Sequence, residues 1–107
     1  MPFVVRRHEH GTTLVVEVQG EIDLSTAGEV RVAADAPEAG RLVLDLRGVD
    51  FMDTSGIRLV VELMRAEEAG GPELAVVADH YPVLRLFDMA GLTPRLRLSR
   101  SVDEALG

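Results

Sequence analysis

The stretch LVLDLRGVDFMDTSGIRLVVELM, Leu42 to Met64, carries two hydrophobic periods separated by a polar turn. Leu42 to Leu46 is an apolar run with a single acid, bounded by Arg41 and Arg47-Gly48, which is the pattern of a strand in the middle of a sheet. From Ser55 to Ala69 the period changes: Ile57, Val60, Val61 and Met64 form one stripe, while Arg58, Glu62 and Arg65 lie on another face. Gly70-Gly71-Pro72 ends that helix. Leu59 and Leu63 lie off the stripe and are expected either to pack under a neighbouring helix or to form an apolar patch facing a partner.

The flanks of this stretch repeat the alternation. Phe3 to His8 and Thr12 to Gln19 are short and β-branched, with HGTT between them as a turn, so they read as an N-terminal hairpin. After GEID, Ser25 or Thr26 is the expected N-cap of a first helix over Ala27 to Ala36, stopped by Pro37 and Gly40. Glu73 to Ala78 reads as a further strand. Pro82 then sits in the first turn of a helix on which Val83, Leu86, Phe87 and Ala90 align on one face. Leu96 and Leu98 alternate with arginines as a short edge strand, and Ser101 to Glu104 has capping-box spacing. The order is β-β-α-β-α-β-α-β-α. Strands that alternate with helices need crossovers and so run parallel, whereas the opening hairpin is antiparallel. The expected fold is α/β, a mixed sheet with helices packed on it, in one domain over residues 1–107.

Composition removes several functions. The chain has no cysteine, hence no disulfide, no thiolate nucleophile and no cysteine-ligated metal. All eleven basic residues are arginine against eighteen acids, a net charge of −7. Without lysine there is no Walker A loop, no Schiff base and no protein-kinase strand lysine. No basic stripe interleaved with aromatics is present, so no nucleic-acid partner is expected. No apolar run reaches the length of a membrane span and no leader is visible, which predicts a cytoplasmic protein in a reducing compartment.

The turn between the two periods, Asp53-Thr54-Ser55-Gly56, holds the most chemistry. One cap oxygen starts a helix, yet three acceptor-bearing side chains stand in a row here. The turn also lies at the carboxyl end of a strand, where open α/β sheets place functional loops. A hydroxyl left facing solvent has three uses: nucleophile, anion contact or acceptor of a phosphoryl group. Nucleophilic catalysis lacks support, because His8, His10 and His80 belong to the first hairpin and a loop, and the G-x-S-x-G elbow is absent. Asp23, Asp45, Asp50 and Asp53 suggest a magnesium or phospho-aspartate site, but receiver sites also use a lysine; solvated loop carboxylates are the expected reading. His8-Glu9-His10 is half a metal site with no second pair, so neither metal nor other cofactor is expected.

Four landmarks in order, GEID at Gly20 to Asp23, the strand LVLDL, GVDFMDTSGI at Gly48 to Ile57 and RLFDMAGL at Arg85 to Leu92, resemble STAS domains, and among them the bacterial anti-sigma-factor antagonists. The resemblance covers nearly the whole chain. It implies a regulatory binding protein rather than an enzyme. It also implies a partner-switching cycle: the unmodified antagonist binds an anti-sigma factor and frees the sigma factor for transcription. That partner, a serine/threonine kinase, phosphorylates the residue after the motif aspartate, and a PP2C-type phosphatase resets the cycle. By position the acceptor is Thr54, with Ser55 as the alternative hydroxyl. Asp23 and Asp53 match acids beside the acceptor, and Ser55, Gly56 and Arg58 complete the expected partner-binding set. Arg58 departs from the family pattern, where many antagonists have a small residue. A monomer or weak homodimer is expected. The competing readings are an accessory subunit of a lipid or solute transporter and a ligand-sensing STAS domain.

Overall fold

The computed structural model describes residues 2–107. Strands β1 (Val4–His10) and β2 (Thr13–Ile22) pair antiparallel, with His10 opposite Thr13. The two-residue turn between them begins with Gly11 at φ +60°, a left-handed conformation that glycine adopts without a Cβ penalty and that suits the twist of a hairpin. Helix α1 (Ala27–Ala33) leads to β3 (Arg41–Met52), α2 (Thr54–Glu68) to β4 (Glu73–Val77), and α3 (Tyr81–Met89) with a 3-10 turn at Thr93–Arg95 to β5 (Leu98–Ser99); α4 (Val102–Leu106) closes the chain. The sheet order is β1-β2-β3-β4-β5, and every pair after the hairpin is parallel.

Successive crossovers of one hand put α1, α2 and α3 on the same face. Their Val30, Leu59, Val60, Val83 and Phe87 bury against Leu14, Val16, Val18 and Ile22 of β2 and Leu42, Leu44 and Leu46 of β3. The opposite face of the sheet is smaller: Val15, Val43, Ala75 and Val77 lie under Ala105, Val102 and Leu106 of α4. Ser101 caps α4 by accepting from the Glu104 N–H at 3.2 Å, as its spacing predicts.

Several boundaries differ from the sequence reading. The third strand has twelve residues instead of five, because it continues through GVDFM. Its pairing with β2 slips twice, between Glu17 and Gln19 and between Gly20 and Glu21, each time by one extra residue on β3. The inward set therefore runs Leu42, Leu44, Leu46, then Val49 and Met52. Strict alternation would have turned Val49 outward; the first bulge turns it inward, and the second then turns Met52 inward in place of Phe51. The first helix ends at Ala33, and the last strand holds only Leu98 and Ser99. On α2 the buried positions are Gly56, Leu59 and Val60, so the inner stripe is rotated from the one read by periodicity. Leu59 is 1% exposed, which removes it from any partner-facing patch, and Leu63 is half-buried against the same core.

Candidate functional site

β4 ends at Val77 opposite Asp45, whereas β2 and β3 stay paired as far as Ile22 and Met52. The two strands form a ribbon that extends past the rest of the sheet, and the turns at Asp23 and Asp53 lie side by side at its end. The Asp53 N–H donates to the Ile22 carbonyl at 3.1 Å, which ties one turn to the other strand.

Asp53 is the N-cap of α2, in an extended conformation, and its carboxylate accepts from the Ser55 N–H at 2.8 Å. This satisfies one of the four N–H groups a helix start leaves unpaired. Thr54 is the first helical residue and is exposed, and its hydroxyl makes no hydrogen bond among the described residues. Ser55 is half-buried. Gly56 is buried: a Cβ there would overlap the Met52 side chain and stand 3.4 Å from Ile22 Cγ2. It therefore offers no surface to a partner, and its part in the site is to let α2 start in close contact with the strand ends.

The Asp23 carboxylate faces its own loop. It accepts from the Ser25 hydroxyl at 2.6 Å, the Ser25 N–H at 2.9 Å and the Thr26 N–H at 3.2 Å. The Ser25 hydroxyl, followed by the Ser25 N–H, holds this carboxyl below the usual aspartate range. Thr26 occupies the N-cap position of α1 without capping it; its hydroxyl donates to the Glu21 carbonyl at 2.9 Å and accepts from the Asp23 N–H at 2.9 Å. The turn is a closed knot of hydrogen bonds that keeps one ionised acid beside the start of α2.

Arg58 is exposed, one helical turn beyond Thr54. Two exposed apolar residues lie near the ends of the ribbon, and the polar motif does not reveal them: Leu24, 82% exposed, and Phe51, 49% exposed. Phe51 faces solvent because it follows the second bulge, a register effect outside the reach of a periodicity argument. Asp45 corrects the reading of the acids as solvated loop groups. It is 2% exposed on β3 and accepts three hydrogen bonds from Arg47, at 2.9, 3.0 and 3.1 Å. Among the described residues no group of three or more histidine, aspartate or glutamate side chains is placed to hold a metal ion. His8 and His10 lie exposed on the edge strand β1. Among those residues, no helix is long and apolar enough to cross a membrane.

A parallel sheet with an antiparallel first strand, three helices on one face and a D-T-S-G helix start at the end of a projecting ribbon together define a STAS domain. Residues 4–105 match the STAS domain family, and the chain belongs to it. An anti-sigma F factor antagonist of Paenibacillus polymyxa is 32% identical over 96 residues, covering 86% of this chain and 82% of that protein. The crystal structure of an anti-sigma factor antagonist from Mycobacterium paratuberculosis superposes with a TM-score of 0.85 at 28% identity, over 98% of this chain and 92% of that one. The Bacillus protein SpoIIAA in its phosphorylated form shares the fold, with a TM-score of 0.72 at 22% identity, over 98% and 96% of the two chains.

Proposed function

We propose that this chain is an anti-sigma-factor antagonist whose binding to an anti-sigma factor is switched off by phosphorylation of Thr54. The observation that carries the proposal is the Thr54 hydroxyl, exposed and unbonded at the first position of α2 between two turns that carry acids. The names of the Paenibacillus and Mycobacterium relatives support the partner class, and the phosphorylated state of SpoIIAA supports the modification. Ser55 is the weaker acceptor, being half-buried with its N–H bound to Asp53.

Near the ends of the ribbon the unmodified protein exposes two apolar side chains to a partner, Leu24 and Phe51. Burying such side chains favours association by about 25 cal/mol per Å² of apolar surface. A phosphoryl group adds a charge of about −1.5 to −2. The fold tolerates it, since the charge stands at a helix N-terminus where the dipole and free N–H groups favour an anion. A closed interface does not, because the group must be desolvated beside Asp53 and Asp23. Two unit charges 4 Å apart interact by about 4 kcal/mol at an effective dielectric of 20, which corresponds to roughly a thousandfold in affinity.

In this reading the partner is a serine/threonine kinase that uses its own ATP, a PP2C-type phosphatase reverses the step, and the sigma factor freed by binding drives transcription. The test is incubation with ATP and the anti-sigma kinases of the same genome, with mass-spectrometric mapping of the phosphate and binding measured before and after. One phosphate at Thr54, lost in Thr54→Ala, together with loss of binding, is the expected result. Phosphate incorporation unchanged by Thr54→Ala would refute the assignment of the acceptor, and the absence of both binding and phosphate would refute the function.

A further inference from the structure

We infer that Arg58 is a built-in counter-ion for a phosphate on Thr54, an inference that rests on the phosphorylation proposed above. Residues four apart on a helix are surface neighbours, and long helical side chains lie back over the preceding turn, toward the N-terminus. Arg58 therefore covers the ground beside Thr54. It is exposed and takes part in no ion pair or side-chain hydrogen bond among the described residues.

The reason Arg58 is unpaired lies in the tertiary structure. Its own partner at the same spacing is Glu62, but Arg31 of α1 takes that carboxylate in a two-point contact, Nε to Oε2 at 2.6 Å and Nη2 to Oε1 at 3.3 Å. The two acids near the helix start bond within their own turns: Asp53 accepts from the Ser55 N–H, and Asp23 from the Ser25 hydroxyl and the N–H groups of Ser25 and Thr26. With Glu62 held in the bridge between α1 and α2, Arg58 is left outside every ion pair among the described residues, one helical turn from the acceptor. A guanidinium suits a phosphate dianion, since its planar fork donates two parallel hydrogen bonds. The orientation is the favourable one for a helix, with the anion four residues N-terminal to the cation.

The consequence is that the phosphate is bound by the chain that carries it. Its charge is met within the first two turns of α2, and the released antagonist stays folded without a cation from the partner. The unmodified protein has no such use for Arg58.

The test uses the full chain with phosphothreonine installed at position 54 by semisynthesis, so that no kinase is involved, compared with the same protein carrying Arg58→Gln or Arg58→Lys. The readout is the second ionisation of the phosphate followed by phosphorus NMR. In the arginine protein this ionisation is expected about 0.2 to 0.4 pH unit lower than in Arg58→Gln, the size of an exposed pair at this spacing. Asp53, Asp23 and the helix start act equally on both proteins, so the difference isolates Arg58. The Nε–H resonance of Arg58 is expected to shift as the phosphate becomes a dianion, and Arg58→Lys to fall between the other two. Without phosphate, Arg58→Gln should unfold at the wild-type urea concentration. Coincident titrations in the arginine and glutamine proteins would overturn the inference, as would a phosphate-dependent shift of another arginine in place of Arg58. A failure of the phosphorylation reading is seen separately, as no phosphate on Thr54 in the kinase incubation.

Discussion

Replacing Gly56 with alanine tests whether the start of α2 is placed by steric contact with the strand ends. Gly56 is the third residue of the helix and is buried over Met52, itself 6% exposed, and Ile22. Considered as helix propensity alone, glycine to alanine stabilises by about 0.8 to 1.0 kcal/mol. The added methyl, however, would overlap the Met52 side chain, and such overpacking costs about 1 to 3 kcal/mol. The net expectation is a loss of about 1 kcal/mol. The sign should reverse when the obstacle is removed. Met52→Ala alone costs about 2 to 5 kcal/mol, and adding Gly56→Ala to it should recover about 1 kcal/mol, because only the propensity gain remains. The coupling between the two sites is then about 2 kcal/mol, within the range for residues in contact. The chain has no tryptophan, so urea unfolding is best followed by far-ultraviolet circular dichroism on all four proteins. A Gly56→Ala effect of the same sign and size in both backgrounds would refute the steric argument.

Asp53→Ala removes the side-chain cap of α2 and should lower stability by about 1 kcal/mol, read in the same urea assay, while Asp53→Ser should retain most of it. Leu24→Ser changes a side chain that is 82% exposed, so the urea midpoint should not move, but affinity for the anti-sigma factor should fall about tenfold or more in calorimetry. Glu67 accepts from Arg97 at 2.9 Å and from the Leu74 N–H at 2.8 Å, and the Arg97 guanidinium leads in holding its carboxyl below the ordinary glutamate value of 4.5. A depressed folded pKa stabilises above the unfolded value and loses that contribution as pH falls through the folded one. Arg97→Ala should therefore bring the Glu67 titration upward in carbon NMR and flatten the decline of stability below pH 4.5.

The D-T-S-G turn was legible because its parts obey local rules: a cap residue, hydroxyls and a glycine ahead of a helical period. The cap role of Asp53 follows from one hydrogen bond within three residues. The same rules identified the Gly11 turn and the Ser101 cap of α4. They failed at Val49 to Met52, where two bulges set which side chains face inward, since a bulge is defined by the partner strand and leaves no period in its own sequence. The inner stripe of α2 was misplaced for a related reason. A helix that is apolar over more than half its circumference has several possible inner faces, and the sheet beneath selects the one centred on Gly56, Leu59 and Val60.

By itself the sequence determined the class of fold, the order of elements, the absence of lysine and cysteine chemistry, and the place of Thr54 at a helix start. These follow from composition and from interactions a few residues long. Only the tertiary structure decided that Gly56 supports the site from below, that Leu24 and Phe51 are exposed near the strand ends, and that Glu62 belongs to Arg31 and not to Arg58. Each depends on strand register or on a contact between elements far apart in the chain, and such contacts exist only once the sheet has brought their ends together.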